Sequence, residues 1–422
     1  MYVTDYGIIP DTDDILTDKI QKAIDECSKK KETLYFKKGI YKTGTLLLRS
    51  NLKICLEKGA VISGSLNKED YPDNDASFID GVDQKRGQTL ILAYECKNVE
   101  ISGEGEINGN GKEIHGEGRP FLFRIVKSNN ILLENISLKN SAAWCLHLNQ
   151  SSHIVVKNIL IDSRVNGNND GIDIDSSDNV TIDGCDIKSG DDAICLKSIS
   201  HKKCEHINVS NCKITSECGG IKIGTETVGD ISDINITNCY LYDVMGGGIK
   251  ITPTDGANLS NIFISDITMT NCTGPIFIVS GERLRKYGDV FKSTYSTIKD
   301  ITIKNINADV IKAPGRGIMY GEVWANAIGG IIISGTKNNS IENLILENIT
   351  GSFPGGVTEY LYNDTPYIGD QYPEFHRMDI VPAKGIYARD IKNLQLKNIN
   401  ISYKETDIRE TIKLENVTNV SG

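Results

Sequence analysis

Asp170-Gly-Ile-Asp-Ile174, Asp192-Ala-Ile-Cys-Leu196, Gly219-Gly-Ile-Lys-Ile223 and Gly247-Gly-Ile-Lys-Ile251 are four versions of one short strand. Their first isoleucines, Ile172, Ile194, Ile221 and Ile249, follow one another at steps of 22, 27 and 28 residues. Apolar residues alternate within each copy, so Ile172 and Ile174 point to one face and Asp173 to the other. A strand recurring at such a step reads as one rung of a parallel β-helix. Equivalent residues then stack about 4.8 Å apart along the axis. Asp170 and Asp192 each stand two residues before their isoleucine, and Asp191 precedes Asp192. The pattern therefore places three carboxylates on one outer face, with Lys222 and Lys250 in the rungs that follow.

The repeat extends outward from this stretch. Asn98-Val-Glu-Ile, Asn130-Ile-Leu-Leu, His153-Ile-Val-Val, Asn179-Val-Thr-Ile, His206-Ile-Asn-Val, Asp233-Ile-Asn-Ile and Asn261-Ile-Phe-Ile open the same kind of strand. Asp300, Asn343 and Asn393 open later ones. A polar residue before each strand suits a turn, and an asparagine ladder inside the helix at equivalent turns is the structural role expected of most of them. After Asn261 the step lengthens to 39, 43 and 50 residues. The surplus is expected to leave the helix as loops at about 308–340 and 351–385. Loops of this length are usually functional or disordered. Both carry aromatics suited to sugar stacking or to packing on the helix: Tyr320 and Trp324 in the first, Phe353, Tyr360, Tyr362, Tyr367 and Tyr372 in the second. The fold expected is all-β, a single right-handed parallel β-helix of about ten or more coils. Residues 1–45 read as an N-terminal cap and first strand, and residues 46–422 as the solenoid. In the cap, Thr17 to about Ser28 has the helical pattern, with Ile20, Ala23, Ile24 and Cys27 on one face and Thr17 as N-cap. Such a cap covers the open apolar end of a solenoid.

With 56 acidic against 46 basic residues among 422, the net charge is −10. No basic stripe stands out, which argues against a nucleic-acid partner. No apolar run reaches membrane-spanning length. The first residues lack a basic and apolar leader pattern, which suggests a cytoplasmic chain, or a secreted one whose leader has been removed. The eleven cysteines include no CxxC pair, and Cys185, Cys212 and Cys239 recur every 27 residues. A ladder of buried thiols fits that step better than disulfides or a zinc site do, and free thiols suit a reducing compartment. Neither a cofactor nor a metal is expected, and the oligomeric state is open.

Asn168-Asn-Asp-Gly-Ile-Asp173 followed by Gly190-Asp-Asp192 resembles the signature of the polygalacturonase family of glycoside hydrolases, family 28. The resemblance runs over nearly the whole chain, through Asp5-Tyr-Gly7, Gly59-Ala-Val-Ile-Ser-Gly64, Asp70-Tyr-Pro72, Arg119-Pro120 and Asn140-Ser-Ala-Ala-Trp-Cys-Leu-His147. Tyr372-Pro-Glu374 and Pro382-Ala-Lys-Gly-Ile-Tyr-Ala-Arg389 are similar to bacterial, often exo-acting, members. It implies Asp191 as the acid and Asp170 with Asp192 as the bases that activate water. The chemistry agrees: inversion at a glycosidic bond needs one carboxylic acid and an opposing carboxylate about 6.5–9.5 Å away. Crowding of three aspartates is expected to raise the pKa of at least one.

Two departures bear on the substrate. The family usually has Gly-His-Gly one rung beyond the paired aspartates, and here Gly219 stands in place of the histidine. It also has Arg-Ile-Lys in the next rung, which here reads Gly248-Ile-Lys250. Both glycines are expected to open space as well as to delete a donor. Lys222 and Lys250 are expected to bind an acidic substrate, Lys222 replacing part of the lost charge, with Glu226 and His201 as further substrate-binding candidates. His147 and Trp144 are read as helix surface or distal groove. The implied activity is inverting hydrolysis of an α-linked galacturonate, or related sugar, in acidic pectic oligosaccharides. The other readings are a polysaccharide lyase, with Lys222 or Lys250 as base, and a non-catalytic glycan-binding solenoid.

Overall fold

The computed structural model describes residues 1–74, 79–81, 83–312, 330–359, 364–378 and 380–422. Tyr320, Trp324, Tyr360 and Tyr362, named above among the loop aromatics, lie outside them. The chain forms two compact units, Met1–Asp191 and Asp192–Gly422. Both are right-handed parallel β-helices, the hand that strand sterics impose on such crossovers.

In the first unit each turn contributes three short strands. Phe121–Val126, Asn129–Glu134 and Ser137–Lys139 pair in parallel with Leu146–Asn149, Ser152–Lys157 and Leu160–Ser163 one turn later. Inward residues stack in register: Val99, Ile131, Ile154 and Val180 form one such column, each at most 2% exposed. Burying one such side chain stabilises by roughly 1.5–3 kcal/mol, and the alternation repeats that gain at every rung.

Before the first rung, a helix, Thr17–Lys30, buries Ile20, Ala23, Ile24 and Cys27. Thr17 is its first residue and not its N-cap: its hydroxyl accepts from Gly44 N–H at 2.8 Å. The Gln21 amide accepts from Leu47 N–H at 2.8 Å and donates to Leu47 C=O at 2.9 Å. One side chain thus satisfies both backbone groups of a half-buried strand residue.

In the second unit the second and third strands of a turn merge, as in Ile231–Val244 and Asn258–Cys272. Ile234, Ile262, Ile301, Leu344 and Leu394 form a core column. Asn98, Asn130, His153, Asn179, His206, Asp233, Asn261, Asp300, Asn343 and Asn393 all have φ between 52° and 61°. That left-handed conformation is one asparagine and aspartate tolerate. Their amides form ladders: Asn130 to Asn98 at 2.8 Å in the first unit, Asn261 to Asp233 at 3.1 Å and Asn393 to Asn343 at 2.7 Å in the second. These ladders are exposed, on the outside of the turns.

All eleven cysteines are free thiols, ten of them buried. Cys212 C=O accepts from Tyr240 N–H, which sets Cys212 one rung from Cys239. Among the described residues no helix is long and apolar enough to cross a membrane.

Candidate active site

The first unit carries Asp170 and Asp191, which are 3% and 7% exposed. The turn that delivers Asp170 is pinned by Asn169. Its side-chain oxygen accepts from Val165 N–H at 3.1 Å and Asn166 N–H at 2.6 Å. Its amide donates to Ser141 and Ala143 C=O at 2.8 and 2.9 Å. The Asn169 carbonyl accepts from Gly190 and Asp191 N–H at 3.2 and 3.3 Å. The two motif segments therefore meet backbone to backbone. Asn168 is held from the other side by Arg119 at 2.9 Å and more loosely by Arg86 at 3.5 Å, and Arg86 is itself paired with buried Asp80.

His147 and Trp144 do not lie on the helix surface. His147 is fully buried and Trp144 is 5% exposed. The Trp144 ring stacks on Phe121 at 5.2 Å, and His147 meets both rings edge-on. Arg124 Nε donates to His147 Nδ1 at 3.3 Å. Arg124, His147 and Asp173 occupy successive rungs at one register position, all fully buried.

The second unit carries Asp192, Lys222, Lys250 and Glu226, each at most 5% exposed. Lys222 and Lys250 are partners in register on adjacent strands. Lys222 Nζ donates to Asp192 Oδ2 at 2.6 Å and to the Tyr372 hydroxyl at 2.9 Å. Lys250 Nζ donates to Glu374 Oε2 at 2.5 Å. The chain supplies each ammonium with its own acid. The surplus loop delivers Tyr372 and Glu374, and for Glu374 the Tyr372-Pro-Glu374 motif was the signal in the sequence.

Burial pushes the Asp192 carboxyl up, but Lys222 and then Lys250 outweigh it and hold it down at about 2. The crowding expected of three aspartates therefore does not raise this one. Burial also disfavours the charged form of both lysines. Asp192 beside Lys222 and Glu374 beside Lys250 reverse that and hold both above the usual lysine value. For Glu374 burial wins over Lys250 and Lys222, and its carboxyl is raised. Glu226 is buried, and Lys197, Lys222 and Arg283 overcome that burial to hold it low. Lys197 lies 3.9 Å away and is itself buried. His201 is exposed on the bend between the strands Ile194–Ser198 and Cys204–Ser210 and takes no part in the hydrogen bonds of this cluster.

The two glycines do not open space. A Cβ on Gly219 would lie 2.6 Å from Asp192 Oδ1, and one on Gly248 2.6 Å from Met269 Sδ. At Gly219 the room is taken by Asp192, whose Oδ1 accepts the Gly219 N–H at 3.0 Å. Phe375 fills the next part of the face. Its ring lies 4.3 Å from Phe277, the register partner of Lys250. A Cβ on Gly247 or Gly274 would come within 2.6 or 2.2 Å of that ring, so both glycines make its seat. Of the other loop aromatics among the described residues, Phe353 is fully buried, and Tyr367 stacks under Arg389 at 3.6 Å.

The chain matches the model of glycosyl hydrolases family 28 over residues 42–348. It is 34% identical over 155 residues to an exo-poly-α-D-galacturonosidase of Dickeya chrysanthemi, covering 33% of this chain and only 25% of that relative. It is 26% identical over 322 residues to an endo-polygalacturonase of Pectobacterium parmentieri, covering 68% of this chain and 79% of the relative. Among solved structures, the family 28 exopolygalacturonase of Yersinia enterocolitica superposes with a TM-score of 0.78 at 19% identity, over 99% of this chain and 77% of that one. The family match takes in both aspartate segments and both lysine strands, and by it this chain belongs to glycosyl hydrolases family 28.

Proposed function

We propose that the chain hydrolyses an α-linked galacturonate, or a closely related uronic sugar, in pectic oligosaccharides, with inversion and from a chain end. The observation that carries the reading is the family match across Asn168–Asp173 and Gly190–Asp192. The relatives named above are polygalacturonan-cleaving enzymes by name. Asp191 protonates the leaving oxygen, and Asp170 and Asp192 activate the water. The hold of Lys222 on Asp192 supports the base role, because a carboxyl held at about 2 is ionised at any pH where pectic chains persist. Lys222, Lys250 and Glu226 set the field around the sugar. Cleavage from an end is supported by Phe375, which occupies the face beyond Lys250 where a further sugar of a long groove would lie.

A lyase needs a neutral amine or comparable base beside the sugar. Lys222 and Lys250 are both held charged, which weighs against it. The test is incubation with polygalacturonate and short oligogalacturonates, followed by chromatography of the products. Monogalacturonate from the first time point is expected. A ladder of intermediate lengths would exclude the end-acting mode, and an unsaturated product absorbing near the ultraviolet edge would make the chain a lyase. Binding without any release of sugar would make it a glycan-binding solenoid.

A further inference from the structure

The lysines expected to meet a uronate are already occupied. Lys222 has Asp192 and Tyr372, and Lys250 has Glu374. Their charges are offset by these acids, so a further cation at this face would strengthen the hold on an acidic sugar. Arg283 lies next to these residues, on a segment the repeat does not contain. Its guanidinium carbon is 5.8 Å from the Tyr372 ring centroid, and that tyrosine's hydroxyl holds Lys222. Its charge is also among those that hold Glu226 low.

Two edges of the guanidinium are fixed. Nε and Nη2 donate to Asp255 Oδ1 and Oδ2 at 3.1 and 2.8 Å, a bidentate fork. Nη2 also donates to the Tyr287 hydroxyl at 2.8 Å, and that hydroxyl donates to Asp255 Oδ2 at 2.8 Å. Asp255 is fully buried. The backbone around the arginine is tied too: Gly281 N–H to Pro253 C=O at 2.9 Å, Glu282 N–H to Gly369 C=O at 2.7 Å and Leu284 N–H to Thr254 C=O at 3.0 Å. Nη1 alone has no hydrogen-bond partner among the described residues, and the side chain is 12% exposed. A guanidinium oriented by a buried carboxylate, with one nitrogen left without a partner among the described residues, is pre-organised for a planar anion.

We propose that Arg283 is the specificity-determining residue of this chain, binding the substrate carboxylate through Nη1 in place of the strand arginine that Gly248 lacks. The proposal rests on the galacturonate reading above. Asp255 and Tyr287 are positioning residues that aim the guanidinium and leave Nη1 to the sugar. Lysine at 283 would keep the charge but has no fork, so it would serve Asp255 or the substrate and not both.

The test compares trigalacturonate with its fully methyl-esterified form, by KM for cleavage and by calorimetric binding. Wild type is expected to favour the acid. Arg283→Lys should reduce that preference by about tenfold or more, the scale of a charge-assisted hydrogen bond, chiefly through KM. Because Arg283→Gln alone leaves Asp255 buried without its partner, the variant to pair with it is Arg283→Gln with Asp255→Asn. It should fold and lose the preference for the acid over the ester. A merely structural role would lower Tm in these variants and leave the acid-to-ester ratio unchanged, and that result overturns the proposal. If wild type releases galacturonate but has no preference for the acid, the proposal fails and the hydrolase reading stands. If wild type neither binds nor cleaves either trisaccharide, both fail.

Discussion

At the residue scale the decisive contact is Lys222 with Asp192, two buried charges 2.6 Å apart. Removing one partner of such a pair costs about 3–5 kcal/mol because the other stays buried and uncompensated. Lys222→Met should therefore lower stability to denaturant by that amount and raise the Asp192 pKa, read from the acid limb of the pH–rate profile. The pH dependence of the pair follows from the sign of its shift. Asp192 sits at about 2 in the fold, against about 3.9 for an unfolded aspartate. Its stabilising contribution is thus complete above about pH 4 and fades as pH falls toward 2, a loss of about 2 kcal/mol. Denaturation of wild type and Asp192→Asn from pH 5 to pH 2 should show the gap between them closing over that window. Asp191→Asn should fold as wild type and lose at least about a hundredfold in turnover, the scale of a positioned acid. Near-normal turnover would remove Asp191 from the acid role.

At the scale of elements, the segment carrying Tyr372, Glu374 and Phe375 is what the outer face of the second unit is built to receive. Phe375, Met378 and Ile368 form a cluster with Phe277, Val279, Ile332 and Tyr387 that is at most 4% exposed. The strand residues Phe277, Ile332 and Tyr387 are consecutive register partners on the outer face, one rung after another beyond Lys250. An outer face of a solenoid is normally polar, so three apolar residues there announce a cover. Phe375→Ala should destabilise by about 3–5 kcal/mol and shift the products of polygalacturonate from monomer toward longer fragments. Unchanged products would show that this cover does not set the mode of cleavage.

At the scale of the molecule, stability comes from repetition: each rung adds one isoleucine, valine or leucine to each core column, and no covalent bridge is needed. All eleven cysteines are thiols. Alkylation of the unfolded chain without reductant should add eleven groups by mass, and reductant should leave Tm unchanged. Fewer than eleven adducts would mean that cysteines pair.

The rungs were legible in the sequence because a period-2 alternation recurring every 22 to 28 residues has one physical solution, stacked parallel strands. The turn asparagines were legible for a similar reason, since a left-handed residue before each strand needs a side chain that tolerates it. What surrounds the aspartates was legible only in part. Register alone put Lys222 beside Lys250, and the tertiary structure decided what each lysine holds. Glu374 lies 124 residues from Lys250 and Tyr372 lies 150 from Lys222. No local period links such distant positions; the loop's apolar anchor, with Phe375 seated over Gly247 and Gly274, brings them together. The same limit applies to Gly219 and Gly248. The sequence shows a missing side chain, and only packing decides whether its absence leaves room or, as here, is what lets Asp192 and Met269 fit.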